Sequence, residues 1–427
     1  MTKKQSPIPS IIGCLIIQLC VGILYIWSVL RREFAASYHL ADGSTLPAMV
    51  ASYNLFAFVV GNFVGGIIND KKGAKFTALI GVVAFALGVG LTGLLTDGTV
   101  NLIILTYCVI GGLGSGIAYG ACISCVQKWL PHRRGFASGL AVSAFGLSTV
   151  VFAPVSRWLM DTYRIHVVID AVGNGGTTQE LVDYRTVFLF LGIVFLLLGV
   201  LAWSLVKTPT QEYLDGLPKS AANAKVVSTT RNFTFAEAAK TVPFWCIFLY
   251  IFFINGTWNL TSPLIATLGE TARGLTPAQA VFAVSFAAIP NCAGRLIMAT
   301  VSDRIGRIPA SIILCVLTLV GAVFMTFIAG VPYIITVAAI AFGYGGPSAI
   351  NAAITTDFFG PKYSGTNYGV VMMGLGVSSI FFNFISNTLL HKDPIPTFIM
   401  GAATAVLAAV CMLVINRYLT KMKKEIA

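Results

Sequence analysis

The chain has 427 residues, 56% hydrophobic and only 10% charged, with a formal net charge of +12. Soluble domains carry about 25% charged residues, so the composition excludes a soluble globular class. Its mean hydropathy is +0.84, and apolar runs of the roughly 20 residues needed to cross a bilayer recur from end to end.

The first run, 9–30, follows Lys3 and Lys4. It is too long for the core of a signal peptide and lacks a small-residue cleavage site, so it is read as span 1. Spans 2 to 6 fall near 46–68, 76–96, 101–127, 136–158 and 186–206. The loop after span 2 combines Asp70 and Gly73 with Lys71, Lys72 and Lys75. Its glycine permits a tight turn, its acid is suited to cap the helix that follows, and its lysines hold the loop in the cytoplasm. Gly88, Gly90 and Gly93 match a dinucleotide fingerprint on paper, but they lie inside span 3 with no strand before them. They therefore belong to a glycine-rich membrane helix. Gly61 and Gly65 on span 2, and Gly112, Gly116 and Gly120 on span 4, repeat every four residues. That spacing suits close packing of membrane helices. All nine cysteines, including Cys122 and Cys125 of a CxxC, lie inside apolar runs, so neither a disulfide nor a metal site is expected.

The long polar stretch 207–241 reads as a cytoplasmic linker. Beyond it spans 7 to 12 fall near 243–268, 278–300, 309–330, 333–355, 365–390 and 394–416. The second set repeats the first. Asp303, Arg304, Gly306 and Arg307 follow span 8 as the Asp70 loop follows span 2, at an offset of 233 residues. Pro361 and Gly365 answer to Pro131 and Gly135 at an offset of 230. Two pairs at nearly one offset indicate internal duplication, dividing the chain into 1–206, the 207–241 linker and 242–427. Parallel six-helix repeats with a substrate site at their interface are one transporter plan. The paired loops resemble the signature loop of the major facilitator superfamily. The resemblance implies an all-α membrane protein whose twelve transmembrane helices form two pseudo-symmetric six-helix bundles.

The basic residues sort by loop rather than gathering in a nucleic-acid-binding domain. With the N-terminus inside, cytoplasmic segments hold 20 of the 28 Lys and Arg and outer segments 7. This bias places both termini in the cytoplasm of a multi-pass plasma (inner) membrane protein. The residue left over is Arg295, inside span 8. It lies 8 residues before Asp303, about 12 Å into the membrane at about 1.5 Å per residue. A guanidinium there costs roughly 2.5–3.5 kcal/mol on insertion scales, and all 16 acidic residues fall in loops or at span ends. An anionic substrate is then the natural counter-ion, because the planar fork of Arg matches a carboxylate. Asn291 lies one helical turn earlier and should share its face.

Further residues sharpen the resemblance. Tyr25 and Trp27 in span 1, Tyr119 beside Gly120, Trp129 with Pro131 and Arg134, Arg295 ahead of Asp303, and Asn367, Tyr368 and Gly369 together look like the oxalate/formate antiporter family, which is similar to the monocarboxylate transporters. By that resemblance Tyr25, Tyr119, Asn291, Arg295 and Tyr344 line the central site. Where the oxalate exchanger carries a second basic anchor on helix 11, this chain has Leu375. Phe145 and Leu375 are equivalent at the offset of 230 and read as apolar walls across the pseudo-two-fold. Trp129, Trp158, Trp203 and Trp245 lie at span ends and read as interfacial anchors.

No nucleophile, metal cluster or phosphate loop supports an enzyme, and no cofactor is expected. The expectation is a monomeric secondary transporter in the lipid bilayer for a small monocarboxylate such as lactate, pyruvate or formate. It would work by alternating access, paired with a proton or a counter-anion. The alternatives are an oxalate/formate-type dicarboxylate antiporter or a carrier of another small solute. The topology is tested with Ser220→Cys and Ile165→Cys in a Cys-less background: an impermeant thiol reagent applied to intact cells should label position 165 and spare 220. Stronger labelling at 220 would reverse the orientation.

Overall fold

The computed structural model describes residues 6–23, 27–40, 44, 46–169, 177–217, 229, 231–271, 273–390 and 393–426. Among these, eleven helices are long and apolar enough to cross a membrane. Spans 2 to 6 are Leu46–Lys72, Ala74–Thr92, a π-helical turn Ile104–Gly111 continued by Gly112–Trp129, Arg134–Thr162 and Tyr184–Leu205. Spans 7 to 12 are Val242–Thr261, Pro277–Phe286 continued by Ala288–Ile305, Arg307–Met325, Tyr333–Phe359, Ser364–Phe384 and Pro394–Ile426. The first span is described over Ile8–Val21, 14 residues, and helix resumes at Trp27–Ser37. The helices form two six-helix bundles, and the chain is a multi-pass membrane protein.

Packing follows the pattern of apolar and small residues. Large side chains such as Leu197, Leu201 and Ile335 point outward from the bundle, where a bilayer can solvate them without cost, while small residues bring backbones together inside. A Cβ on Gly116 would strike the Phe58 carbonyl, and one on Gly65 would come within 2.6 Å of the Ile117 backbone. The glycine stripes of spans 2 and 4 thus face each other as their spacing suggests.

Two features depart from the sequence reading. An antiparallel hairpin, Arg164–Ile169 paired with Thr177–Val182, stands between spans 5 and 6 in a fold expected to be all-α. Trp129 is not an interfacial anchor: it is buried, and its indole donates to the Lys207 carbonyl at 2.9 Å. Trp158 and Trp245 are exposed at span ends, as anchors would be.

The signature loops behave differently from the simplest expectation. Asp70 does not cap the helix that follows it; span 3 begins at Gly73, in a left-handed conformation (φ +83°), with no side-chain cap. Instead Asp70 reaches into the other half and accepts hydrogen bonds from the Gly365 and Thr366 amides, at 3.0 and 2.8 Å, and from the Thr366 hydroxyl at 2.6 Å. Asp303 does the reciprocal thing, accepting from the Gly135 and Phe136 amides at 2.9 and 2.8 Å. Each loop therefore holds the N-terminus of a helix in the opposite bundle, where free amides and the helix dipole favour a carboxylate.

A charged network joins the same end. Asp357 accepts from Arg134 at 2.9 Å and from Arg307 at 2.8 Å, and Arg307 also reaches Asp303 at 2.7 Å. The side chains of Arg307 and Asp357 are 5% and 3% exposed. Beside them Thr356 donates to Gln127 at 3.0 Å across the two halves. The bundles are closed on each other here. Removing one partner of a buried pair typically costs about 3–5 kcal/mol. Asp357→Ala should lower the melting temperature of the purified protein and raise the thiol reactivity of a cysteine placed at Gln127. Unchanged reactivity would show that the network does not hold this end shut.

Candidate functional site

A cavity of about 180 Å³ lies where the two bundles meet, of the order of six water volumes at about 30 Å³ each. The first half contributes Asn54 and Phe58 from span 2, Tyr119 from span 4 and Phe145 from span 5. The second contributes Asn255 from span 7, Arg295 from span 8, Tyr344, Ser348 and Asn351 from span 10, and Met372 and Leu375 from span 11. Among the described residues lining it, Arg295 carries the charge, and none is Asp, Glu or His.

The first half presents an aromatic wall. Phe58, Tyr119 and Phe145 form a triangle with centroids 5.0 to 5.5 Å apart. Leu375 and Met372 add apolar surface from the opposite bundle. Phe145 and Leu375 line this cavity from opposite halves.

Arg295 is held from both bundles. Its Nε donates to the Asn291 side-chain oxygen at 3.1 Å, and its Nη1 donates to the Val142 carbonyl of span 5 at 3.0 Å. The residue is 5% exposed. Space for the guanidinium depends on Gly146, where a Cβ would lie 2.8 Å from Nη1. Both of these partners are neutral hydrogen-bond acceptors.

Asn291 belongs to a second cavity of about 270 Å³, together with Gly146, Thr149, Trp258 and Cys292. Arg295 and Tyr344 line both cavities, and the Tyr344 ring stacks on Trp258 with centroids 5.3 Å apart. Arg295 therefore sits at the junction of two spaces. Tyr25 lies outside the described residues.

Several cavity residues were not singled out from the sequence: Asn54, Phe58, Asn255, Ser348, Asn351 and Met372. The available signal was an amide within an apolar span. Asn54 donates to the Tyr107 carbonyl at 3.0 Å and Asn255 to the Ile251 carbonyl at 2.7 Å. Asn351 is different, since neither its side-chain nitrogen nor its oxygen has a hydrogen-bond partner among the described residues.

Two helical bundles enclosing a largely apolar cavity with a buried cation fit the plan of a membrane transporter. The profile of the Major Facilitator Superfamily matches residues 10–383, and the chain belongs to that family. The oxalate:formate antiporter of Oxalobacter formigenes is 24% identical over 376 residues, covering 87% of this chain and 82% of that protein. Monocarboxylate transporter 13 of Bos taurus is 23% identical over 362 residues, covering 84% and 75%. The fold is similar to that of the E. coli fucose:proton symporter FucP, with a TM-score of 0.71, 13% identity and coverage of 96% and 99%.

Proposed function

We propose that this chain is a secondary active carrier of small monocarboxylates, lactate-, pyruvate- or formate-like, working by alternating access across the plasma (inner) membrane. The observation that carries the reading is the buried guanidinium of Arg295 in the wall of the cavity between the bundles. A carboxylate offers that planar fork two parallel, charge-assisted hydrogen bonds. Tyr119 and Asn291 assist, the latter by orienting the guanidinium. Tyr344 lines the approach, and Phe145 and Leu375 enclose the apolar tail. Residues 1–206 and 242–427 act as the two rocking bodies, linked on the cytoplasmic side by 207–241, with both termini cytoplasmic and a single chain as the working unit. The loops at Asp70, Gly73, Asp303, Arg304, Gly306 and Arg307 form the cytoplasmic closure.

Energetics require coupling. An inside-negative potential opposes entry of a monoanion by about 2.3 kcal/mol per 100 mV, so uptake is paired with a proton or with an outgoing anion. The cavity lining includes no Asp, Glu or His among the described residues, which favours exchange over proton symport.

Uptake by the purified full chain in proteoliposomes tests the anchor. Arg295→Lys should lose most transport, because a point charge cannot reproduce the bidentate fork, and Arg295→Ala should lose substrate binding while still inserting. Normal affinity in the alanine variant would remove Arg295 from the site.

The similarity to an oxalate:formate antiporter raises a dicarboxylate reading, and Leu375 argues against it. A dianion in this cavity would leave one charge uncompensated, at a cost of several kcal/mol, and about 1.4 kcal/mol is already tenfold in affinity. Leu375→Lys should weaken monocarboxylate transport by repelling Arg295 and removing apolar contact, and should shift preference towards oxalate. If the unaltered protein carries oxalate better than lactate or pyruvate, the monocarboxylate assignment fails.

A further inference from the structure

Asn351 is 1% exposed, lines the central cavity, and leaves both ends of its amide without a hydrogen-bond partner among the described residues. Its neighbours on span 10 are better served: Ser348 donates to the Gly345 carbonyl at 2.7 Å, and its own carbonyl accepts from the Tyr368 hydroxyl at 3.2 Å. A buried amide with neither donors nor acceptor satisfied is unfavourable unless something else occupies the space beside it. Interchanging the nitrogen and oxygen does not relieve it, since both lack partners.

The depth of Asn351 follows from the backbone. Spans 8 and 10 run in the same direction and meet at the charged end, where Arg307, just beyond span 8, binds Asp357. Higher up, the Asn291 carbonyl packs directly on Gly345. Arg295 lies four residues beyond Asn291, about 6 Å along the axis, and Asn351 six beyond Gly345, about 9 Å. The Asn351 backbone therefore lies about 3 Å deeper than that of Arg295, and both side chains line one cavity of about 180 Å³, small enough for a single solute to meet both. Tyr344, Ser348 and Asn351 share one helical face by their spacing of four and three, which keeps the amide on the cavity side.

We propose that Asn351 is a second, polar subsite of the central cavity, reading a hydrogen-bonding substituent on the carbon beside the carboxylate. The preferred substrates are then 2-hydroxy- or 2-oxo-monocarboxylates rather than unsubstituted short acids. The proposal rests on Arg295 as the carboxylate anchor. A hydroxyl can donate to Oδ1 or accept from Nδ2, an oxo group can accept from Nδ2, and a methylene can do neither. A site built to hydrogen-bond a substituent discriminates against the analogue lacking it, because its own polar groups then stay unpaired.

The test compares lactate, pyruvate and propionate as substrates and competitors for the full chain in proteoliposomes. The unaltered protein should favour lactate and pyruvate over propionate by about tenfold or more, the value of one such hydrogen bond. Asn351→Leu, of similar size, should collapse that ratio towards one, and Asn351→Ser, which keeps a hydroxyl, should retain part of it. A ratio near one in the unaltered protein overturns the subsite. So does a ratio that Asn351→Leu leaves intact, or a proportional loss of all three acids in both variants, which would mark a structural residue. Failure of the anchor reads differently: none of the three acids is carried and Arg295→Ala changes nothing, which overturns both proposals.

Discussion

The constraint on which the rest of this structure depends is a guanidinium buried midway along a membrane helix. Arg stays protonated under all relevant conditions, so its environment has to accommodate a permanent charge. The neighbouring elements are shaped by this. Span 5 offers the Val142 carbonyl and, one turn on, the side-chain-free surface of Gly146. Span 8 offers Asn291 one turn back. The Val142 bond crosses from one bundle to the other, so Arg295 belongs mechanically to both. Any rocking of span 5 against span 8 changes the surroundings of the charge. Under the proposed function a carboxylate arriving at the guanidinium would alter the balance of that contact, and binding and bundle movement would be coupled through one side chain.

The opposite demand is met at the signature-loop end. There two carboxylates, Asp70 and Asp303, each hold the helix N-terminus of the other half, and Asp357 holds two arginines together. Caps of this kind are typically worth about 0.5–2 kcal/mol each. Together with the Asp357 ion pairs they hold this end of the two halves closed. The reciprocal arrangement also explains why both loops carry an acid near a glycine: the glycine turns the chain, leaving the acid free to reach across.

Much of this was legible in the sequence. Twelve apolar runs, a duplicated loop and one arginine out of place were enough to expect the fold, the symmetry and the central cation. The reciprocal capping was not legible, because a carboxylate near a helix start caps its own helix by default, and only the packing of the two halves supplies the alternative. The hairpin of 164–169 and 177–182 escaped because two strands of six residues beside long apolar helices carry little signal. Trp129 misled for a related reason: position at a span end suggests an interface, and the Lys207 carbonyl that buries it lies far away in sequence. The lone amides of spans 2, 7 and 10 were visible but could not be told from packing residues until their partners were known.

The duplication itself accounts for the polarity of the cavity. At the offset of 233 that relates spans 2 and 8, Arg295 answers to Asn62 and Asn291 to Phe58. At the offset of 230, Asn351 answers to Ala121, Tyr119 to Ala349 and Asp357 to Gln127. The two halves have kept the glycines and loops that set helix packing, and they differ where side chains meet the cavity. One half supplies an aromatic wall of Phe58, Tyr119 and Phe145; the other supplies Asn291, Arg295 and Asn351. Under the proposed function a solute held between them sets its charged end against Arg295 and its apolar end against the aromatic wall and Leu375. The guanidinium comes from one bundle and the aromatic wall from the other, with Met372 and Leu375 adding apolar surface beside the charge, so under the proposed function the complete site exists only at the interface of the two bundles.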